Sequence, residues 1–341
     1  MEKADEAVRQ TNDSATANKL VCVSKGYFAD PFITLFSPPA PAHAAPPPAG
    51  APTTKPPNPL MNRGYWSRVR AVETLVQWFL DSDMGGESRR QIVNLGAGFD
   101  TAFFRLLKNK KIKKDTYWLE LDFAEVVSKK KNVIGRSKVI KDLFEAEGVE
   151  LRGNGQQKAK EGEGKGVVYQ IVESDLRSLG KGEEEGLEGL EKGVPTLFMS
   201  ECVLAYLDAG DGTRIIEWAG KTFQNSFFIC YEQILPDDSF GKMMIHNLHE
   251  RGCDLRSIKD FPDLSTQKLR YKNSGWGAVF AKDMYDYYYQ DIEADERSRA
   301  EKLEWLDELE EWVLIQRHYC IVLAVRDESL VKSSGFKAPM K

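Results

Sequence analysis

The sequence predicts an α/β fold with a mostly parallel, seven-stranded sheet and helices on both of its faces. Short apolar segments alternate with segments of helical periodicity along most of the chain, which is typical of a parallel sheet. A glycine-rich turn follows the first apolar segment, and an acidic residue lies near the end of each of the next three. Ligands bind such sheets beyond the carboxyl ends of the strands, so these residues are candidates for function.

The strands are predicted from short runs of β-branched, aromatic and other apolar residues. In chain order they are residues 91–95, 116–123, 167–173, 196–202, 226–232, 277–281 and 318–325. Apolar residues at three- and four-residue steps predict a helix over residues 65–80. Further helices are predicted at 125–134, 211–223, 238–250 and 293–312, and we expect Asp100 to cap another one after the first strand.

Composition and charge limit the class of protein. The chain has 341 residues, of which 42% are hydrophobic and 29% charged, and no apolar run approaches the roughly 18 residues of a membrane helix. The formal net charge of −5 disfavours general binding to nucleic acid. The five cysteines are scattered and form no CxxC motif, which favours a reducing compartment. The first twenty residues lack an apolar signal core, so we expect a cytoplasmic location, with the nucleus as a second compartment.

Five stretches flank or interrupt one predicted domain over residues 19–330. Residues 1–18 are polar and are expected to be disordered. Residues 37–59 hold ten of the 15 prolines, which predicts a solvated loop or, as the alternative, a proline-rich ligand for a partner domain. Residues 145–166 and 181–193 are rich in Gly, Glu and Lys and are expected to be flexible insertions. Residues 331–341 form a C-terminal tail.

The turn after the first strand and the end of the second predict part of a nucleotide site. Gly96 and the glycine two residues later let a ligand approach the backbone closely. Asp122 follows 26 residues after Gly96, where a carboxylate can accept hydrogen bonds from both hydroxyls of a ribose. The GxGxxG pattern of dinucleotide sites is incomplete, because Thr101 stands at its third glycine. Each feature alone also fits a steric turn or a helix cap.

The ends of the third and fourth strands add two further predictions. Asp175 and Leu176 suit an adenine, whose exocyclic amine would bond to the carboxylate while the ring packs on the leucine. Glu201 needs a positive ligand group, because an unpaired buried carboxylate is costly. Together these four features favour an adenosine-containing cofactor. Either a nicotinamide dinucleotide or S-adenosylmethionine satisfies them, and Thr101 favours the latter.

Several longer motifs carry a resemblance to a known family. They are NRGYWSRVRAVETL (62–75), IVNLGAGFDTAFFRL (92–106), SECVLAYL (200–207), YEQILPDDSFGKMMIHNLHERGCDL (231–255), and EWLDELEEW and RHYC in the tail. Together they resemble leucine carboxyl methyltransferase. The block that begins with YEQ is not a general methyltransferase feature, and the resemblance spans about residues 19–325.

The resemblance implies both a fold and an activity. The fold is a class I S-adenosylmethionine-dependent methyltransferase, Rossmann-like, with an added N-terminal segment and substrate-binding insertions. The implied reaction is methyl esterification of the C-terminal leucine α-carboxylate of the protein phosphatase 2A catalytic subunit, which regulates holoenzyme assembly. The implied partner is the C-terminal tail of that subunit. We expect a monomer, with no metal, no membrane and no nucleic acid.

The resemblance also assigns site residues. The implied ligands of S-adenosyl-L-methionine are Lys19, Arg68, Gly96, Asp122, Asp175, Leu176 and Glu201, of which Lys19 and Arg68 rest on the resemblance alone. The substrate carboxylate is already ionised, since its pKa is about 3.3–3.7, so no strong base is needed. Arg68 is expected to anchor that carboxylate and Tyr206 to position it by a hydrogen bond. The alternative for Tyr206 is a packed aromatic ring with its hydroxyl in water.

Three other functions stay open as alternatives. The tRNA-modifying paralogue of this family carries a long C-terminal propeller, for which a chain that ends at Lys341 is expected to have no room. A catalytically inactive phosphatase-binding module is the second alternative, and a nicotinamide dehydrogenase, disfavoured by Thr101, is the third. The histidines at 246 and 249, with Cys253 nearby, are expected to be solvent-facing polar residues rather than metal ligands.

Overall fold

The computed structural model describes residues 2–37, 58–84, 86–153, 166–182, 187, 189–332 and 340. The strands in these ranges are β1 (Arg90–Leu95), β2 (Thr116–Asp122), β3 (Val149–Arg152), β4 (Val167–Glu173), β5 (Thr196–Glu201), β6 (Ser226–Gln233), β7 (Ala278–Asp283) and β8 (Tyr319–Val325). They form one sheet of order β3-β4-β2-β1-β5-β6-β8-β7. Strand β8 is antiparallel to β6 and β7, and the other neighbouring strands are parallel.

Helices surround this sheet. They are α1 (Glu2–Ser24), α2 (Pro59–Asp81), α3 (Ala102–Lys108), α4 (Ala124–Arg136), α5 (Lys138–Glu147), α6 (Ala209–Thr222), α7 (Ser239–His249), α8 (Leu264–Asn273), α9 (Met284–Gln290), α10 (Ala294–Glu301), α11 (Leu309–Arg317) and α12 (Glu328–Lys332). Within the described ranges, none of them is long and apolar enough to cross a bilayer. Short 3-10 turns lie at Ile33–Phe36, Leu176–Ser178 and Leu204–Tyr206.

The central strands are buried on both faces, as expected for a parallel sheet that helices cover on either side. Every residue of β1 is buried. On one face Phe103 stacks on Tyr169 with ring centroids 4.2 Å apart. On the other face Phe198 packs edge-on against Trp218 at 5.7 Å. The two cores hold the strand ends in a fixed register, which positions the loops beyond them.

All seven predicted strands are present, with ends that shift by two residues or fewer. The prediction of seven strands is nevertheless one short, because the structure adds β3 at the sheet edge beside β4. The expectation of a flexible insertion from residue 145 is therefore wrong for 145–152, which hold the end of α5 and the whole of β3. Only one residue of β3 is buried, so no apolar run marked it in the sequence. Residues 154–165 of this insertion lie outside the described residues.

The second insertion is anchored where the structure describes it. Leu187 and Leu190 are buried against the core. The main chain of Glu191 exchanges hydrogen bonds with the Gln91 side chain, at 2.7 and 3.0 Å. The expected flexibility is thus wrong for these residues, while 183–186 and 188 lie outside the described residues. The prediction of one helix over 293–312 is also wrong, since α10 and α11 are separate helices.

The N-terminal segment differs most from its prediction. The expected disorder of residues 1–18 is wrong for 2–18, which belong to α1. This helix was not apparent from apolar periodicity, because it buries polar residues such as Thr16 and Lys19 beside Cys22. It packs on α2, where the Cys22 thiol lies 3.4 Å from the Asn62 carbonyl oxygen. The helix is held by polar contacts to the rest of the chain rather than by an apolar stripe.

The predictions for the proline-rich stretch (37–59) and for the C-terminal tail (331–341) fall largely outside the described residues. Residues 38–57 of the proline-rich stretch are among these. At its end, Asn58 caps α2 by accepting a 2.9 Å hydrogen bond from the Leu60 main-chain N–H, and Pro59 occupies the first helical position. Helix α2 therefore begins six residues before its predicted start. In the tail, residues 333–339 and 341 lie outside the described residues, and Met340 is buried.

Candidate active site

A cavity of about 480 Å³ lies at the carboxyl ends of the central parallel strands. Its walls come from α1 and α2, from the segments that follow β1, β2, β4 and β5, from the end of β6 and the start of β8, and from the segment after α7. The structure brings all of the residues predicted for the site into this one cavity. They are Lys19, Arg68, Gly96, Asp122, Asp175, Leu176, Glu201 and Tyr206.

The turn after β1 requires glycine at two positions. Gly96 has φ +64°, and a Cβ placed on it would lie only 2.6 Å from Cγ2 of Val203. Gly98 has φ +53°, and its main-chain N–H donates a 2.7 Å hydrogen bond to Oδ2 of Asp122. The packing of the turn therefore requires glycine at both positions, because Val203 and Asn12 occupy the space that a side chain would need.

Thr101 stands where a dinucleotide site has its third glycine, and its side chain stabilises the fold. The Thr101 side chain is buried, and its hydroxyl donates a 2.5 Å hydrogen bond to Asp30. Arg105 of α3 also donates to Asp30, at 2.9 Å. The expected Asp100 cap is present only weakly, since Asp100 accepts from the Ala102 main-chain N–H at 3.3 Å and Thr101 occupies the cap position.

Asp122 is held at the end of β2 by backbone donors. Its second oxygen, Oδ1, accepts from the Phe123 main-chain N–H at 2.7 Å, which complements the Gly98 contact. Burial raises the pKa of Asp122 above its usual value, and the two backbone hydrogen bonds counteract part of that rise. A carboxylate has about four lone-pair sites, so two such bonds leave it able to accept from a diol.

Asp175 is engaged in a contact that the sequence did not reveal. It accepts hydrogen bonds from the Arg177 main-chain N–H and Nε, at 2.9 and 2.8 Å. The same guanidinium binds Asp5 of α1 through two contacts of 3.1 and 2.9 Å. Burial opposes ionisation, but the Arg177 hydrogen bonds prevail and lower the pKa of Asp175. Leu176 beside it is buried and offers an apolar surface.

Four charged side chains form the polar floor of the cavity. Arg68 Nε donates to Glu201 Oε1. Lys19 Nζ lies 3.6 Å from the same Glu201 oxygen and 3.5 Å from Oδ1 of Asp100. Burial would raise the pKa of Glu201, but Arg68 and Lys19 lower it, and Lys19 and Arg105 likewise lower that of Asp100. Two cations thus balance two anions, which makes their burial tolerable. The expectation that Glu201 needs a positive group from a ligand is therefore wrong, because Arg68 and Lys19 supply that charge.

Aromatic rings surround the Arg68 guanidinium. Its Cζ lies 5.0 Å from the ring centroid of Tyr231 and 5.5 Å from that of Tyr65. Tyr206 lines the cavity from the turn after β5, and burial raises its pKa well above the usual value. That turn is fixed by Glu232, which accepts a 2.6 Å hydrogen bond from the Ala205 main-chain N–H. A fixed cation beside an aromatic wall can attract an anionic group in a site shielded from water.

Sequence reasoning missed most of the contribution of α1. Asn12 Oδ1 accepts a 2.8 Å hydrogen bond from the Phe99 main-chain N–H in the glycine turn. The Cys253 thiol lies 3.2 Å from the Ala7 carbonyl oxygen, and Arg9 lies 3.8 Å from Glu125. The side chains of α1 that make these contacts are mostly polar, so they form no apolar stripe, and each contact joins distant parts of the chain. Only Lys19 was foreseen, from the resemblance.

Comparison with known proteins decides the family. A family model described as leucine carboxyl methyltransferase matches residues 7–220. The chain belongs to the leucine carboxyl methyltransferase family. The resemblance identified in the motifs is thereby confirmed. The protein is an S-adenosylmethionine-dependent methyltransferase, its cofactor is S-adenosyl-L-methionine, and its fold is the class I methyltransferase fold.

Curated relatives agree with this assignment. The protein named leucine carboxyl methyltransferase 1 homolog of Arabidopsis thaliana is 39% identical over 322 residues, which cover 94% of this chain and 90% of that protein. Leucine carboxyl methyltransferase 1 of Yarrowia lipolytica is 35% identical, with coverages of 94% and 98%. The human tRNA wybutosine-synthesizing protein 4 is 36% identical, and 96% of this chain matches 45% of that longer protein.

Proposed function

We propose that this methyltransferase esterifies the C-terminal leucine carboxylate of the protein phosphatase 2A catalytic subunit, and thereby regulates holoenzyme assembly. The observation that supports it best is Arg68, a cation held beside Glu201 and two tyrosine rings in the floor of the cavity. Such a group can hold a carboxylate where water is largely excluded. The relatives named leucine carboxyl methyltransferase 1 support a protein C-terminus as the substrate.

The residues of the cavity fit the cofactor. Gly96 and Gly98 line the cavity, and the acidic residues stand at three strand ends. In this proposal Asp122 accepts from the ribose hydroxyls and Asp175 with Leu176 receives the adenine. Glu201 then faces the amino group and Lys19 the carboxylate of the methionine part. When bound, S-adenosylmethionine supplies a methyl group on a positively charged sulfur.

Arg68 can act as the carboxylate anchor without leaving Glu201. A guanidinium carries five N–H donors, and the contact to Glu201 uses the one on Nε. The substrate carboxylate is ionised at neutral pH, so the protein needs to orient it rather than to remove a proton. Tyr206 lies in the same cavity and can donate a hydrogen bond to that carboxylate.

Label transfer tests this proposal directly. The protein is incubated with methyl-labelled S-adenosylmethionine and phosphatase 2A core enzyme, with and without the terminal leucine. We expect transfer only to the intact enzyme, and we expect Arg68→Ala to abolish most of it. Arg89→Ala is the matched control, because Arg89 is exposed and pairs with Glu87 and Glu191 away from the cavity. Transfer that persists after removal of the leucine would contradict the proposed substrate.

A carboxyl group on modified tRNA is the second candidate substrate. It is favoured by the 36% identity to the human protein named tRNA wybutosine-synthesizing protein 4. The same assay with tRNA as acceptor separates the two, and an inactive phosphatase-binding module would transfer label to neither. We also propose that the protein is located in the cytoplasm, with the nucleus as a second compartment.

A further inference from the structure

The YEQ motif at the end of β6 contributes three side chains to the neighbourhood of the cavity. Tyr231 stacks near Arg68, and Glu232 fixes the turn that carries Tyr206. Gln233, the last residue of β6, lines the cavity itself. Residues two apart in a strand point to the same face, so Gln233 shares the face on which Tyr231 approaches Arg68.

The side chain of Gln233 lies in a buried part of the cavity wall. Only 4% of the residue is exposed. Its direct partner across the sheet is Tyr319, another residue of the cavity wall, whose ring stacks on Tyr231 with centroids 5.5 Å apart. Burial raises the pKa of Tyr319, and the neighbouring Gln233 side chain offsets part of that rise.

The side-chain carbonyl oxygen of Gln233, Oε1, is an unused hydrogen-bond acceptor within the described part of the chain. Oε1 is buried, and it has no hydrogen-bond partner among the residues that the structure describes. An unmatched buried acceptor destabilises the folded protein, because it has lost its hydrogen bonds to water. The position of this residue in the cavity wall means that a bound ligand is able to remove that destabilisation.

We propose that Oε1 of Gln233 accepts the main-chain N–H of the terminal residue of the substrate. This inference rests on the proposed function. At a peptide C-terminus, the N–H closest to the carboxylate belongs to the same residue, one carbon away. An anchor for the carboxylate at Arg68 therefore brings this donor towards the strand that carries Tyr231 and Gln233. The contact selects a carboxylate that belongs to a peptide, and discriminates against carboxylic acids without an adjacent N–H.

A single-atom change in the substrate tests the contact. The phosphatase catalytic subunit is prepared by semisynthesis with either leucine or its α-hydroxy acid counterpart at the terminus, so that an ester replaces the last amide. For the unmodified methyltransferase we expect kcat/KM to be about tenfold lower with the ester-linked substrate, the loss of one buried hydrogen bond. In Gln233→Met, which removes the amide but keeps the length, we expect the two substrates to react within about twofold of one another.

Gln316→Met is the matched control. Gln316 on α11 is also buried and also has an Oε1 without a partner among the described residues, but it does not line the cavity. This variant should retain the tenfold preference. Binding of S-adenosylhomocysteine, measured by calorimetry, verifies that each variant is folded.

The outcomes separate this inference from the proposed function. If the unmodified protein methylates neither substrate, both the proposed function and the inference about Gln233 fail. If it methylates both at equal rates, the proposed function stands and the role of Gln233 is wrong, whether or not the variant folds. A preference that Gln233→Met retains also overturns the inference, because the discrimination then comes from another residue.

Discussion

The strand-end wall of the cavity, which carries Gly96, Asp122 and Glu201, is built differently from the α1 wall opposite. The strand ends are fixed by the register of β1, β2 and β5 and by short backbone hydrogen bonds. The α1 wall is held mainly by individual side chains, such as Asn12 on the glycine turn and Asp5 on Arg177. The first wall is therefore preorganised with the sheet, whereas the second can be weakened without unfolding it.

The largest effect should follow from the charged pair at the strand-end wall. Glu201→Gln leaves Arg68 and Lys19 close together, and in the described part of the chain the remaining acidic contact of this pair is Asp100. We expect unfolding free energy to fall by about 3 kcal/mol, together with loss of methyl transfer. Urea denaturation measures the first and label transfer the second.

A surface pair provides the control for this prediction. Glu87→Gln breaks an exposed contact to Arg89 and should change unfolding free energy by less than about 1 kcal/mol. Equal losses of unfolding free energy for Glu201→Gln and Glu87→Gln would show that the pair in the cavity contributes no more to stability than the surface pair.

The glycine turn should give the next largest effect. Gly96→Ala combines about 1–2 kcal/mol of backbone strain with the contact to Val203. We expect the affinity for S-adenosylhomocysteine, measured by calorimetry, to fall by at least tenfold. Gly148→Ala is the matched control, because Gly148 has φ +63° and its Cβ would meet nothing within 4 Å. If Gly148→Ala weakens binding as much, the close approach at Gly96 is not the cause.

Glu120, deep in β2 beneath the strand-end wall, should make stability depend on pH. Burial raises its pKa from 4.5 to about 7, although Lys130 Nζ lies 2.5 Å away and opposes the rise. A carboxyl group with a raised pKa in the folded state takes up a proton on folding. Its contribution to stability is therefore complete below pH 4.5 and lost as the pH rises through about 7.

Replacing the Glu120 carboxyl group tests the direction of this pH dependence. Between pH 4.5 and 7 the difference in unfolding free energy between the natural protein and Glu120→Gln should shift in favour of the natural protein as the pH falls. Urea denaturation across this range provides the measurement. Parallel curves for the two proteins would contradict the raised pKa.

The smallest effect should come from the α1 wall. Asn12→Ala removes the acceptor of the Phe99 N–H, a loss of about 1 kcal/mol. We expect the cofactor to dissociate several-fold faster in stopped-flow measurements, with little change in melting temperature. Asp13→Ala is the control, because Asp13 is exposed and does not line the cavity. If neither variant alters dissociation, α1 does not control cofactor release.

The same contrast explains what the sequence could predict. The strand-end wall was predictable because a buried parallel strand is a continuous apolar run, and the polar residue that ends it stands out, as Asp122 and Glu201 do. The α1 wall was not, because Asn12 and Asp5 act through partners that are distant in sequence. Edge strand β3 was missed for a third reason, since Val149–Arg152 lies mostly exposed and shows no apolar pattern.

Analysis of the C-terminal peptide of the phosphatase catalytic subunit tests the central claim most directly. After reaction with this protein and S-adenosylmethionine, mass spectrometry should show one added methyl group, located on the α-carboxyl group of the terminal leucine and removed by mild alkali as expected for an ester. The Arg68→Ala variant should leave the peptide unmodified. A methyl group on a side chain, or one that resists alkali, would contradict the account.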